Sequence, residues 1–177
     1  MSFLHTLAKI SENPRLENEF LELLSLLEYV GCRKILKGVP VEKVSVDVLV
    51  HIQEESLHAL MLRRLVDKPS GVPWSESLFA PMGWEYFRQL DKRVSTEVSP
   101  SYEAVSWAIE QRALSLYPDY FSLTTREDVK KVLSTIIAQE KRHAIHFAAA
   151  EATRWLEIEG ELWAEFEARV AAIVQSL

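Results

Sequence analysis

The chain has 177 residues, a formal net charge of −6 at pH 7 and a single cysteine, Cys32. This length is typical of one domain with a sizeable hydrophobic core, and 48% hydrophobic with 26% charged residues is ordinary for a folded protein. The negative charge argues against nucleic acid or an anionic membrane as the main partner. One cysteine excludes an internal disulfide and a four-cysteine metal site. No stretch resembles a signal peptide or a membrane-spanning helix, so we expect a cytoplasmic protein without a membrane partner.

Glycine and proline residues divide the first half of the chain into helical blocks. Asn13 followed by Pro14 is typical of a helix N-cap and a first helical position, and the first block then covers about 14–37, up to Gly38. The second block covers about 41–67, with Pro40 and Ser45 as its two candidate starts. Its opening is rich in β-branched residues, but the apolar residues that follow repeat with the period of a helix, so the pattern predicts a helix rather than a strand.

A long connection, 69–99, follows and is rich in proline. The segment FAPMGWEYFRQLDKRV inside it predicts a short helix packed on the body of the protein. The third block covers about 100–123, and we expect its helix to continue past Pro118. The fourth block covers about 125–159, and a short C-terminal helix is predicted over 161–176.

Four long helices with one long crossover and a short fifth helix predict an all-α fold. We expect a single domain, 1–177, whose four long helices form a bundle. Amphipathic helices alone say nothing about function, so the polar residues on their inward faces carry the information.

Each of the four long helices carries one glutamate on its apolar stripe, and two of the helices add a histidine three residues later. The pairs occur in the segments EESLH and QEKRH. Glu28 precedes Gly38 by ten residues and Glu55 follows Ser45 by ten, so both lie about 15 Å from the turn between antiparallel helices. The inward set is Glu28, Glu55, His58, Glu110, Glu140 and His143.

Four carboxylates and two imidazoles in an apolar interior need compensating charge. Their mutual repulsion and lost hydration would otherwise force protonation or unfold the bundle. Two divalent or trivalent cations would resolve this, because a Glu-x-x-His pair points both side chains at the same place. Mixed carboxylate and imidazole ligands suit iron or manganese, whereas structural zinc sites are rich in sulfur.

The order of single glutamate, Glu-x-x-His, long crossover, single glutamate and second Glu-x-x-His resembles the ferritin-like di-iron carboxylate superfamily. This superfamily includes rubrerythrins, bacterioferritins and di-iron oxygenases, and the resemblance covers about residues 14–160. It implies a ferritin-like four-helix bundle with two iron ions, manganese or a mixed pair being the alternatives. By this resemblance Glu55 and Glu140 would bridge the metals. The terminal ligands would be Glu28 with His58 on one metal, and Glu110 with His143 on the other.

The implied function is that of a non-haem di-iron oxidoreductase, with the six residues as catalytic metal ligands. Its partners would be dioxygen or peroxide and an unknown electron donor or substrate. Alternatives are a ferritin-type iron-storage ferroxidase, and a helical binding or assembly protein with a structural or vestigial di-metal site. The long proline-rich crossover departs from ferritins and favours a monomer or homodimer over a cage. Rubrerythrins carry an extra glutamate where this chain has Ala113.

Four further residues lie near the inward set. Glu54 lies one position out of phase with the inward stripe, so we expect it to face solvent. His51 and His146 each lie one turn from a predicted ligand, and either could orient a ligand or simply pack. Cys32 is expected to be a small core residue.

Overall fold

In a computed structural model of the chain, the residues described are 2–67, 74–96, 102–146 and 152–177. They form helices and contain no strand, so the predicted all-α class is confirmed. Within these ranges no helix combines the length and the apolar character needed to cross a lipid bilayer. The α-helices are α1 (Phe3–Glu12), α2 (Pro14–Gly38), α3 (Val46–Arg64), α4 (Ala80–Ser95), α5 (Tyr102–Leu123), α6 (Glu127–His146) and α7 (Ala152–Ser176), with 3-10 turns at Val41–Lys43 and Trp74–Glu76.

Polar caps fix the starts of α2 and α3. The side chain of Asn13 accepts hydrogen bonds from two backbone N–H groups in the first turn of α2, at 3.0 and 3.3 Å. The predicted start of this helix is therefore confirmed. Ser45 caps α3 by accepting from the backbone N–H of Val48 at 3.3 Å. Of the two candidate starts of the second helix, Ser45 is confirmed, because its cap begins α3 at residue 46. The predicted end is too late, since α3 ends at Arg64 rather than at residue 67.

Two predictions for the middle of the chain are confirmed. The third long helix, α5, continues through Pro118 to residue 123. The helix expected inside the crossover is α4, and it packs against α2 and α7. The fourth helix, α6, begins at Glu127 rather than at residue 125. The crossover segments 68–73 and 97–101 lie outside the described residues.

The predicted boundary between helices 125–159 and 161–176 is wrong. Residues on both sides of Gly160 belong to one helix, α7, while α6 ends at residue 146 and 147–151 lie outside the described residues. A glycine inside a helix costs only about 1 kcal/mol relative to alanine. Packing outweighs this cost, since the face of α7 on both sides of the glycine is buried: Trp155, Glu159, Leu162, Trp163 and Phe166.

The packing order brings the inward faces of four helices to one interior. Helix α2 packs on α3, α3 on α6, and α6 on α5. Helices α4 and α7 pack on each other, α4 also contacts α2, and α7 also contacts α5. Helix α1, which is not among the predicted helices, buries Leu7 and Ile10 and packs against α2, α5 and α7. The ferritin-like bundle topology stays a prediction.

Phe20 offers a test of the packing between α2 and α5. Its side chain is fully buried, and its ring meets the Tyr120 ring edge to face, with centroids 5.1 Å apart. We expect Phe20→Ala to lower the free energy of unfolding by about 3–5 kcal/mol, because it removes a large ring from a closed core. Phe121→Ala, at an exposed neighbouring position, should cost less than about 1 kcal/mol. Urea denaturation followed by circular dichroism measures both, and equal losses would contradict this packing.

Candidate metal centre

All six predicted residues meet in the interior between α2, α3, α5 and α6, and each is at most 6% exposed. They fall into two adjacent groups in which one oxygen or nitrogen from each residue lies within 4.8 Å of the others. Glu55 belongs to both groups. One group is Glu28, Glu55, His58 and Glu140, and the other is His51, Glu55, Glu110 and His143.

Helical spacing explains how so few elements supply these side chains. On α3, Glu55 follows His51 by four residues and precedes His58 by three, so all three lie on one face. On α6, Glu140 and His143 repeat the three-residue spacing. The other two carboxylates come singly from α2 and α5. Two packed helices therefore provide five of the seven groups.

In the first group, Nδ1 of His58 lies at the centre of the carboxylates. It is 3.2 Å from Oε2 of Glu28, 3.1 Å from Oε1 of Glu140 and 4.0 Å from Oε1 of Glu55. The hydroxyl of Tyr117, on α5, donates a hydrogen bond to Oε1 of Glu28. This bond fixes one carboxylate oxygen while the other faces the imidazole.

In the second group, two imidazoles face the shared carboxylate. Nε2 of His51 lies 3.4 Å from Oε1 of Glu55 and 3.3 Å from Oε1 of Glu110. Nδ1 of His143 lies 3.6 Å from Oε1 of Glu55 and 3.5 Å from Oε2 of Glu140. The two rings are 4.0 Å apart between centroids. The second group therefore offers two imidazole nitrogens as candidate ligand atoms, and the first group offers one.

The sequence leaves the role of His51 open between orienting a ligand and simple packing. The structure places its buried imidazole ring among the carboxylates, so His51 lies within the centre itself.

The expectation that Glu54 faces solvent is wrong. Its side chain is 14% exposed and accepts hydrogen bonds from Gln139, Arg142 and His143. The reason is the contact of α3 with α6, which places an out-of-phase residue of α3 against the neighbouring helix.

An outer set of hydrogen bonds holds the two histidines of the Glu-x-x-His pairs. Nε2 of His58 lies 2.7 Å from Oε1 of Gln139, and Nε2 of His143 lies 2.7 Å from Oε2 of Glu54. The Gln139 amide nitrogen donates to Oε1 of Glu54 at 2.8 Å, which leaves the amide oxygen to accept from His58. Both Nε2 atoms therefore carry protons, and both Nδ1 atoms face the carboxylates, an orientation that suits metal binding.

The outer roles of Glu54 and Gln139 were not predicted, although the sequence contains a signal for them. Glu54 and Gln139 each directly precede the glutamate of a Glu-x-x-His pair. The two pairs are therefore two copies of a five-residue pattern that begins with a polar residue, and each helix supplies the outer contact for the histidine of the other.

Without metal, protons take the place of cations in this centre. Burial raises the pKa of Glu55 well above its usual range, and repulsion from Glu28 adds to the effect. Burial and a hydrogen bond with Glu140 raise the pKa of Glu110 in the same way. Burial alone would lower the pKa of His58, but hydrogen bonds with Glu140 and Glu28 raise it to about 11. Burial would also raise the pKa of Glu140, but contacts with Glu110, His143 and His58 lower it. The metal-free site therefore combines neutral Glu55 and Glu110 with a charged Glu140 beside the charged imidazole of His58.

His51 differs electrically from the other two histidines. Burial, and then the nearby His143, lower the pKa of His51 to about 4. Burial would also lower the pKa of His143, but the nearby carboxylates of Glu140 and Glu54 raise it. His51 is thus neutral at pH 7, the form in which an imidazole can bind a metal.

Two further observations show that the residues fit metal ions. Oε1 of Glu55 and Nδ1 of His143 are buried and, among the residues that the structure describes, neither has a hydrogen-bond partner. Buried polar atoms of this kind are rare unless another group satisfies them. Gly31 on α2 leaves room beside Glu55, since a Cβ there would lie 2.6 Å from Oε2 of Glu55.

A cavity of about 50 Å³ reaches the four carboxylates from between α2, α4, α5 and α7. A cavity needs a volume of about 10–15 Å³ to hold one buried water, so a cavity of this size suits a few water-sized or diatomic molecules. Arg112 also borders the cavity and is held by the buried Glu159, which accepts a hydrogen bond from Tyr86 as well. The apolar wall consists of Leu27, Phe87, Ile109, Ala113, Leu116 and Trp163.

Cys32 and His146 are the other two residues that the sequence places near the inward set. Cys32 is buried, its Sγ lies 3.7 Å from the carbonyl oxygen of Ile52, and burial raises the pKa of its thiol. It packs as a small core residue, as expected. The side chain of His146 lies outside the described residues.

Comparison with known protein families, with curated proteins and with solved structures finds no match.

Two of the helical glycines, Gly31 and Gly160, form a matched pair for testing the centre. Gly31→Ala should weaken metal binding about tenfold or more, because the new methyl group pushes the Glu55 carboxylate aside while the helix itself gains propensity. At Gly160 an added Cβ would have no atom within 4 Å. The variant Gly160→Ala should therefore keep full metal affinity and gain up to about 1 kcal/mol of stability. Titration with Co²⁺, followed by its absorption spectrum, measures affinity. Equal affinities of the two variants would contradict the position of Glu55.

Proposed function

We propose that this protein is a non-haem di-iron oxidoreductase built on a ferritin-like four-helix bundle. The observation that carries the proposal is the pair of buried four-residue groups that share Glu55. A single cation would leave several carboxylates without compensating charge, whereas two cations neutralise the set. Oxygen and nitrogen donors of this kind suit iron or manganese.

The residues divide between the two metals in a defined way. Glu55 would lie between them, Glu28, His58 and Glu140 would bind the first, and His51, Glu110 and His143 the second. The bridging role that the resemblance implies for Glu140 stays a prediction, since its Oε1 lies 3.1 Å from Nδ1 of His58 and its Oε2 lies 3.5 Å from Nδ1 of His143. The proposal therefore keeps the six ligands predicted from the sequence and adds a seventh. Two iron ions held there would supply electrons and Lewis acidity for reactions of dioxygen or peroxide.

The remaining side chains orient the ligands and shape access to them. Gln139 and Glu54 hold the imidazole rings from outside, and Tyr117 holds the carboxylate of Glu28. The apolar and aromatic cavity wall limits water at the carboxylates and favours a small apolar molecule over a hydrated cation. This wall is the reason to rank an oxygenase or peroxidase-like oxidase above an iron-storing ferroxidase.

The first test is the metal content of the purified chain. We expect about two Fe²⁺ per chain after anaerobic loading, together with a higher melting temperature, since metal binds only the folded state. Glu55→Gln should bind fewer than about one ion and lose the metal-induced rise. Its metal-free melting temperature should equal or exceed that of the wild type, because one buried acid is removed. Elemental analysis and differential scanning calorimetry provide these values.

The matched control is Glu127→Gln on α6, whose side chain is exposed and pairs with Lys130. This variant should behave as the wild type. Wild-type chain that binds no iron, or Glu55→Gln that binds as much as the control, would refute the centre. Iron bound without any oxygen or peroxide consumption, in the presence of ascorbate as reductant, would instead support the alternative of a binding protein with a structural site.

His51 can be tested separately from the six residues predicted from the sequence. His51→Gln should weaken one of the two metals at least about tenfold and leave the other in place, because only the second group contains this imidazole. Mössbauer spectra of ⁵⁷Fe-loaded chain should then lose one of two ferrous signals. His5→Gln, at an exposed position on α1, is the control. Two unchanged signals in His51→Gln would show that His51 only packs against the centre.

A further inference from the structure

Helix α3 buries three ionisable side chains and leaves several large apolar side chains exposed to solvent. Its buried face carries His51, Glu55 and His58. Its outer face carries large apolar side chains that are 38–75% exposed: Val46, Leu49, Val50, Leu57 and Leu60. Eight of the fifteen exposed large apolar residues in the described part of the chain fall between residues 36 and 60. Such a concentration marks an interaction surface.

The outer residues form a continuous stripe with coiled-coil spacing. At 100° per residue, the stripe lies within about 40° of the side opposite Glu55 and extends over about 21 Å. Its members follow each other at intervals of four, three, four and three residues, the heptad spacing of helices that pair along their length. The α3 stripe consists of Val46, Val50, Gln53, Leu57 and Leu60.

The α3 stripe is symmetric about its middle residue. Val46 and Leu60 each lie seven residues from Gln53, and Val50 and Leu57 lie three and four residues from it. An antiparallel copy of the same helix, related by a two-fold axis at Gln53, therefore places every apolar residue opposite another one. Self-complementarity of this kind is what an interface between two identical chains requires.

Charge also favours the antiparallel arrangement. The first turn of α3 carries the exposed Asp47, and the last turn carries the exposed Arg64. Arg63, in the same turn, pairs with Glu22 of its own chain. In an antiparallel pair the acidic end of one helix lies beside the basic end of the other, and the helix dipoles oppose each other favourably. A parallel pair would place like charges together.

We propose that the chain forms a homodimer through an antiparallel pairing of α3 with α3 of a second copy. The exposed Leu36, Val41 and Val44 lie beside the start of α3, so the two-fold axis adds apolar area at both ends of the contact between the two copies. A stable interface buries roughly 800 Å² per partner, and these residues enlarge the contact beyond the stripe itself. The proposal is independent of the metal chemistry, because the stripe lies on the opposite side of α3 from the candidate ligands.

Light scattering after size exclusion tests the association. The wild-type chain should elute with the mass of two chains at micromolar concentration, and the double variant Val50→Glu/Leu57→Glu with the mass of one. Helix content and iron binding should be unchanged, since both positions are exposed. The control Leu4→Glu, an exposed residue on α1, should remain dimeric. A wild-type monomer, or a dimer that survives the double variant, would overturn the proposal. So would a monomer that binds phosphatidylglycerol vesicles through the stripe.

Disulfide trapping tests the register, in a chain whose only cysteine is replaced by Cys32→Ser. Val46→Cys and Leu60→Cys should not cross-link alone under mild oxidation. A mixture of the two should form a covalent heterodimer, because the antiparallel register pairs position 46 with position 60 within disulfide reach. Efficient cross-linking of Val46→Cys with itself would show a parallel pair and overturn the proposed geometry.

Discussion

The mutual repulsion of four buried carboxylates is the interaction on which the rest of this structure depends. Glu28, Glu55, Glu110 and Glu140 occupy one interior volume from which water is largely excluded. Protons can neutralise part of this charge, as the raised pKa values of Glu55 and Glu110 show. That solution leaves polar atoms without hydrogen bonds. Two cations satisfy both the charge and the coordination at once.

The helices can be understood as a support for this centre. Helices α3 and α6 supply five of the seven candidate ligands, and each also supplies the residue that orients a histidine of the other. Because α3 turns its polar face inward, its apolar residues remain outside, and the α3 stripe follows from the same geometry. Helices α4 and α7 line the cavity that reaches the carboxylates. Helices α2 and α5 line the same cavity and also supply one candidate ligand each, so access and ligand binding are only partly divided between elements.

Much of the centre could be predicted from sequence because helical spacing directly determines which side chains share a face. The six inward residues and the passage of α5 through Pro118 are of this kind, since each depends on local periodicity. Contacts between helices are not encoded in this way. The position of Glu54 against His143 depends on how closely α3 approaches α6, and the continuity of α7 through Gly160 depends on burial of the flanking aromatic residues. The repeated five-residue pattern singles out Glu54, but neither feature can be derived from helical periodicity alone.

The central claim is that two metal ions lie side by side on either side of Glu55. Anomalous diffraction from iron-loaded crystals, recorded on both sides of the iron absorption edge, tests it most directly. We expect two peaks about 3.5–4 Å apart, one beside Glu28, His58 and Glu140 and the other beside His51, Glu110 and His143. A single peak, or iron bound only at surface carboxylates with the interior groups still hydrogen-bonded to each other, would contradict it.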